Sequence, residues 1–195
     1  MVIATCRKTS DELNELGVRV IENIDITSED SIIYLKNNLL DIKLDCLINN
    51  AGVAEYNSLD NLNFDSIINQ FEINALGPLK ITKSLMKFFK KESKVVFITS
   101  RMGSIDDNKS GSSYGYRMSK VALSMAAKSL SIDLLKNQIY IGILHPGLVS
   151  TRMTNFSKNG ISTKQSANNI LKRIDFLNKE NTGTFWHANG EILPW

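Results

Sequence analysis

The sequence predicts an α/β fold built on a doubly wound, mostly parallel sheet, and three observations carry that expectation. Short β-branched apolar runs alternate with helical stretches from end to end, the order in which parallel strands are joined through crossover helices. Runs such as 95–98 and 139–144 are unbroken, as in strands buried on both faces. Polar or turn-forming residues follow them at once, in Asn49-Asn50-Ala51-Gly52, Thr99-Ser100 and His145-Pro146-Gly147. Side chains able to do chemistry therefore fall at the carboxyl ends of strands, the edge where open α/β sheets bind ligands.

Taken in order, the chain opens on a strand, Val2-Ile3-Ala4-Thr5, followed by Cys6-Arg7-Lys8. Thr9-x-x-Glu12 is a capping-box pattern for a short helix that turns Leu13 and Leu16 inward and ends at Gly17. Val18, Val20 and Ile24 mark a second strand ending in Asp25-Ile26-Thr27, and Thr27-x-x-Asp30 starts a helix whose Ile32, Leu35 and Leu39 share a face. Cys46-Leu47-Ile48 forms the third strand, and 56–63 read as loop. From Phe64 to Lys91 a long helical region sets Ile67, Ile68, Phe71, Leu79, Leu85, Met86 and Phe89 largely on one side, while Pro78 implies a kink near Asn74. After the strand ending at Ser100 and a polar loop, a helix starts near Ser113 and continues through Met118, Val121, Ala122, Met125, Ala126 and Leu130. A strand over 139–144 leads into Pro146-Gly147, Val149, Thr151 and a mobile-looking stretch at 155–160. Ser162-x-x-Gln165 caps a helix through Ile170, Ile174 and Leu177, and 183–187 form the last strand before an Asn189-Gly190 turn.

The totals are those of an ordinary globular chain, with 195 residues, 43% hydrophobic and 22% charged, and we expect one domain over 1–195. A net charge of +3 comes from scattered lysines, densest at Lys87, Lys90, Lys91 and Lys94, which read as a solvated helix end and exclude nucleic acid as a partner. Cys6 and Cys46 sit in apolar runs and read as reduced core residues of a cytoplasmic protein. The two histidines, His145 and His187, make no metal-ligand cluster. No apolar run approaches the roughly 20 residues of a membrane span, and no signal-peptide pattern is present, so no membrane association is expected.

Tyr116 and Lys120, one helical turn apart, share a face. An ammonium beside a phenol favours the phenolate and lowers a pKa of about 10, so that the tyrosine can exchange a proton with a substrate oxygen near neutral pH. Tyr-x-x-x-Lys alone is a very common spacing that far more often marks a surface pair, so the rest of the chain must decide. Tyr114 competes as the tyrosine, but Met118 follows it at the lysine position; Ser104 competes with Ser100, which lies nearer the strand end.

With Asn49-Asn50-Ala51-Gly52, Asn74, Ser100, Tyr116-x-x-x-Lys120 and Pro146-Gly147 in this order, the chain resembles the short-chain dehydrogenase/reductase family along its whole length. Residues 98–105 and 113–120 are most similar to its carbonyl-reductase-like branch of C-factor and sniffer-type proteins. The resemblance implies a Rossmann-like sheet and an NAD(P)-dependent oxidoreductase that interconverts a carbonyl and an alcohol on a small molecule. It implies Tyr116 as acid/base, Lys120 as ribose-binding and pKa-lowering partner, Ser100 as the substrate-oxygen anchor, and Asn74 as holder of a water linking Lys120 to solvent. Asn50, Ala51 and Gly52 match the segment beside the adenine ribose, and Asp25 and Ile26 the adenine-side contact, although Asp25 equally suits a helix cap. Pro146, Gly147, Val149 and Thr151 resemble the segment that packs on the nicotinamide, with His145 positioning it. Arg7, at the end of the first strand present, favours NADP over NAD, since a basic residue there accepts a 2′-phosphate.

One family feature is missing from the chain. The strand, Gly-rich turn and helix that place pyrophosphate at a helix N-terminus have no counterpart, and we expect an N-terminally truncated sequence that lacks the first strand and helix and binds cofactor weakly or not at all. In a 3-2-1-4-5-6 order the missing strand is central, so two neighbouring strands should show unpaired edges and an apolar face. A catalytically silent relative or gene fragment that acts, if at all, as a binding protein is the alternative; the retained Ser100, Tyr116 and Lys120 favour the enzyme. Loops at 57–63, 105–113 and 155–160 shape a modestly polar pocket without identifying the substrate. The resemblance is compatible with a homo-oligomer through the helices over 64–91 and 113–137.

Overall fold

A computed structural model describes residues 1–195. Six strands, β1 (Ile3–Thr5), β2 (Arg19–Ile21), β3 (Leu44–Asn49), β4 (Phe89–Ile98), β5 (Tyr140–His145) and β6 (Phe185–His187), alternate with six α-helices. The helices are α1 (Asp11–Asn14), α2 (Glu29–Asn38), α3 (Phe64–Phe71), α4 (Gly77–Ser84), α5 (Tyr114–Asp133) and α6 (Thr163–Phe176). Every strand pairing is parallel. The α/β fold with a parallel sheet is therefore as the alternation predicts.

Along β4, side chains alternate between two apolar layers, as the two-residue period of a strand dictates. Val95 and Phe97 join a large core with Leu123, Ile141, Ile143 and Phe185, whereas Val96 and Ile98 pack with Leu144, Ile174 and Trp186. Burial of both faces is why this stretch reads as an unbroken apolar run.

The strands form two sheets, β1-β2 and β3-β4-β5-β6. β1 and β3, which border the interruption, each pair on one side only. Between them runs a groove of about 580 Å³, walled by Ile3, Leu35, Leu44, Leu47 and Ile81 and reaching Ile26, Asn50 and Ala51 at the strands' carboxyl ends. The unpaired edges and apolar face expected from the sequence are both present.

Several local expectations need correction. The helix expected to reach Lys91 stops at Ser84, and β4 starts at Phe89; Leu85, Met86 and Phe89 keep a helical apolar spacing by chance while serving a turn and a strand. Ser93, buried in the first half of β4, donates to the Leu44 carbonyl at 2.7 Å and accepts from the Lys90 amide at 2.9 Å. The first two helices are capped one residue later than expected, by Ser10 and Ser28. Thr9 donates instead to Asn14, and Thr27 is held by the Asp25 carboxylate, which accepts both its amide and its hydroxyl. α1 buries no residue, and Leu16 is exposed rather than inward.

The kink near Asn74 takes a specific form. Glu72–Leu76 is a π-helical turn between α3 and α4, with the Gly77 amide donating five residues back to the Glu72 carbonyl, and Pro78, which has no amide to donate, follows it in the first turn of α4. Asn74 is thereby set into the interior beside α5.

Candidate active site

Ser100 follows β4 and caps a short 3₁₀ turn, Arg101–Gly103, by accepting from the Met102 amide at 3.1 Å. Its competitor Ser104 instead accepts from the Asp107 amide at 3.1 Å within the next turn. Arg101 fixes the outer side of this segment through ion pairs to Asp107 at 3.2 Å and Glu191 at 2.8 Å. On its inner side, Gly103 lies against α5 so closely that a Cβ there would stand 2.9 Å from the Lys120 carbonyl carbon. That contact sets the Ser100 strand end beside the helix carrying Tyr116 and Lys120.

Tyr116 is 8% exposed and Lys120 only 4%. Lys120 Nζ donates to the Ile98 carbonyl at 3.0 Å and lies 5.8 Å from the centre of the Tyr116 ring. Asn74, fully buried, accepts from the Val53 amide at 2.8 Å and donates to the Val53 carbonyl at 2.8 Å and to the Ser119 hydroxyl at 2.9 Å. Ser119 in turn donates to the Tyr116 carbonyl at 2.8 Å. Gly52 is packed against both groups, since a Cβ there would lie 3.0 Å from Asn74 Oδ1 and 3.4 Å from Lys120 Nζ. The structure thus brings Gly52, Asn74, Ser100, Tyr116 and Lys120 into one site.

The electrostatics differ from the simple pair picture. Burial pushes the Tyr116 phenol above its usual pKa, with Tyr56 adding to the rise and the Ser100 hydroxyl opposing it. Burial also lowers Lys120 to about 8. The expectation that Lys120 lowers the phenol pKa is not met in the chain alone, because both groups are withdrawn from water and the ammonium is engaged by the Ile98 carbonyl.

The other residues assigned from sequence follow the carboxyl ends of strands in the two sheets. Asn50 and Ala51 border the carboxyl end of the groove with Ile26. Asp25 sits below the usual carboxylate range because Thr27 donates to it twice, and the charge of Arg7 adds to that effect. Arg7 itself is exposed. Beyond β5, Gly147 adopts φ +89°, the Pro146 carbonyl accepts from Ser166 at 2.9 Å, and Val149 bridges to Ile161. The Thr151 amide donates to Thr154 Oγ1 at 3.0 Å. His145 stacks edge-on against His187 at 4.9 Å, and burial, with His187 and Arg101 adding, pushes its pKa down to about 3. A neutral, packed imidazole suits its expected role in supporting this loop.

Three participants were not identified from sequence. Tyr56 places its ring 6.4 Å from that of Tyr116, Gln70 is fully buried beneath the loop that carries Tyr56, and Ser119 links Asn74 to the Tyr116 turn. Ser119 lay legibly inside the Tyr-x-x-x-Lys motif; Tyr56 sits in irregular chain where no periodicity marks it.

A parallel Rossmann-like sheet with a serine at a strand end and a buried tyrosine–lysine face defines a dehydrogenase-type α/β protein. The family described as short chain dehydrogenase matches residues 3–161, and the chain belongs to the short-chain dehydrogenase/reductase family of enzymes. It is 36% identical over 199 residues to 1-hydroxy-2-glutathionyl-2-methyl-3-butene dehydrogenase of Rhodococcus sp. (strain AD45), covering 100% of this chain and 88% of that protein. It is 39% identical over 155 residues to C-signal of Myxococcus xanthus, covering 78% of this chain and 93% of that protein. Among solved structures, the carbonyl reductase Sniffer of D. melanogaster superposes with a TM-score of 0.91 at 27% identity, over 99% of this chain and 87% of that one. The NADPH-bound carbonyl reductase from chicken fatty liver shares the fold, with a TM-score of 0.88 at 24% identity over 99% and 87% of the two chains. No helix is long and apolar enough to cross a membrane.

Proposed function

We propose that this chain reduces a small-molecule carbonyl to an alcohol, or runs the reverse reaction, with NADP as the hydride carrier. The observation that carries the reading is the buried, adjacent placement of Tyr116 and Lys120 beside Ser100. Burying an ammonium without a counter-ion costs stability, and a merely structural or silent fold gains nothing from keeping Lys120 there.

NADP(H) supplies or accepts the hydride when bound. Gly52 supports the fit, because the absence of a side chain leaves room beside Asn74 and Lys120 for a ribose to approach. Lys120 then holds the ribose hydroxyls of the nicotinamide half, and its charge favours the Tyr116 phenolate in that state. Asn50, Ala51, Asp25 and Ile26 form the adenine side, and Pro146, Gly147, Val149 and Thr151 the nicotinamide side. Arg7 is exposed near the Asp25 carboxylate, where it suits a 2′-phosphate; this favours NADP over NAD, as do NADPH-bound structures of the same fold. The chain contains no Gly-x-x-x-Gly-x-Gly turn, so these residues serve the two ends of the dinucleotide better than its pyrophosphate.

In reduction, Ser100 donates a hydrogen bond to the substrate oxygen and Tyr116 delivers the proton from its hydroxyl as the carbonyl becomes an alkoxide. In oxidation, Tyr116 takes that proton back. Asn74 holds Val53 and Ser119 in place around Lys120, and we assign it the water that connects the lysine to solvent.

Residues 1–195 act as one unit in this reading, within the cytoplasm. Exposed Ile68 on α3 and Met118 and Met125 on α5 support a homo-oligomer assembled through those helices. The test is NADPH oxidation by the purified chain with a panel of small aldehydes and ketones, NADPH being raised until the rate no longer increases, to offset the weak binding expected without the Gly-rich turn. We expect turnover of at least one member; NADPH binding without reduction of any of them would overturn the reading.

A further inference from the structure

The loop after β3 is held at alternate residues, Val53, Glu55 and Asn57, on both sides of Tyr56. The Val53 amide and carbonyl are both held by Asn74 at 2.8 Å. The Glu55 amide donates to Gln70 Oε1 at 3.0 Å, and its carboxylate accepts from Ser66 at 2.6 Å. Asn57 receives the Ser113 amide on its carbonyl at 2.7 Å and the Tyr114 amide on its side chain at 3.1 Å. The loop is thus fixed from α3, from the π turn and from the start of α5. Between these pins, Tyr56 remains 60% exposed.

Its ring is not pointed at random. The Tyr56 and Tyr116 ring centres lie 6.4 Å apart with the planes inclined by 52°, inside the range over which aromatic rings attract one another. With the ring centres this close, a substituent on a substrate oxygen that accepts from Tyr116 can reach the second ring. Because the backbone on either side of Tyr56 is already ordered, the ring can pack on a ligand at little further entropic cost. A flat, rigid aromatic surface gains most from a flat partner, since offset stacking needs a planar π face on both sides.

We propose that Tyr56 is a specificity-determining residue, the aromatic wall of the substrate pocket, and that it selects planar aryl carbonyl compounds over saturated ones of similar size. The proposal rests on the carbonyl-reductase reading, which places the substrate oxygen at Tyr116.

The experiment compares acetophenone with cyclohexyl methyl ketone, matched in carbon skeleton but not in planarity, for wild type, Tyr56→Phe and Tyr56→Ala. Intrinsic reactivity differences cancel when each variant's preference is divided by that of wild type. Tyr56→Ala should lower the aryl preference in kcat/KM by about 2- to 12-fold, through KM rather than kcat, as loss of one aromatic pair implies. Tyr56→Phe should restore it, because the ring and not the hydroxyl forms the wall. An unchanged preference in Tyr56→Ala overturns the proposal. If wild type reduces neither ketone, the panel of aldehydes and ketones decides the oxidoreductase reading, and acetophenone binding followed by NMR titration decides Tyr56 separately. Binding weakened by Tyr56→Ala and restored by Tyr56→Phe upholds the wall; binding that is absent, or equal in all three chains, refutes it.

Discussion

The Asn74 side-chain amide donates to the Ser119 hydroxyl over 2.9 Å, tying the π-helical turn to α5 one residue before Lys120. The same amide group closes a reciprocal pair with the backbone of Val53, so one buried side chain joins the β3 loop, the turn and the helix. Asn74→Ala leaves the Val53 amide and carbonyl and the Ser119 hydroxyl without this partner. At about 1 to 3 kcal/mol for each buried group left unsatisfied, we expect a loss of at least ~2 kcal/mol in urea unfolding, larger than that of any exposed Asn→Ala change.

Lys120 makes stability depend on alkaline pH. Its pKa falls from the ordinary 10.5 to about 8 on folding, so between those values the unfolded chain binds more protons than the folded one. Stability from this group therefore rises with pH across that window, and below it the folded state bears the whole cost of the buried charge. Lys120→Met should be the more stable protein at pH 7. The difference should shrink by on the order of 3 kcal/mol as pH rises from 8 to 10.5, which unfolding curves at several pH values will read.

Gly103→Ala tests how closely the Ser100 turn must approach α5. The added methyl would meet the Lys120 Cβ and carbonyl oxygen at 3.0 Å each, and helix backbone cannot yield as a flexible side chain can. We expect a destabilisation of roughly 1 to 3 kcal/mol and a fall in carbonyl reduction, as Ser100 and Tyr116 are pushed apart.

The groove between β1 and β3 presents apolar surface to solvent, including Ile48, which is 44% exposed. The chain should enhance the fluorescence of an apolar dye such as ANS at neutral pH. Ile48→Lys, at a position open enough to accept the change, should weaken that signal without altering the unfolding free energy by more than about 0.5 kcal/mol.

Much of this architecture was legible because burial writes a period into the sequence. The double-sided burial of Val95, Val96, Phe97 and Ile98 made their strand visible, and with it the position of Ser100. Tyr116 and Lys120 were found through helical spacing, and the split sheet through the missing Gly-rich turn. The start of β4 was misread because Lys90, Lys91 and Glu92 are solvated and carry no strand alternation; Glu92 adopts φ +66°. Tyr56 escaped because its position depends on hydrogen bonds from three distant elements, none of which has a local signature. The pKa of Tyr116 was misjudged for a related reason, since spacing reports that a lysine is near but not how much water both groups have lost.

The central assignment is that Tyr116 transfers the proton, and Tyr116→Phe isolates it by removing one hydroxyl while keeping the ring that packs near Tyr56 and Lys120. The decisive measurement is kcat/KM for NADPH-dependent reduction of a ketone turned over by wild type, alongside the unfolding midpoint of both chains. We predict a loss of about 10²- to 10⁴-fold with the midpoint retained, the range expected for removal of a positioned general acid. A variant that reduces the ketone at the wild-type rate would contradict the assignment of Tyr116 as the acid/base.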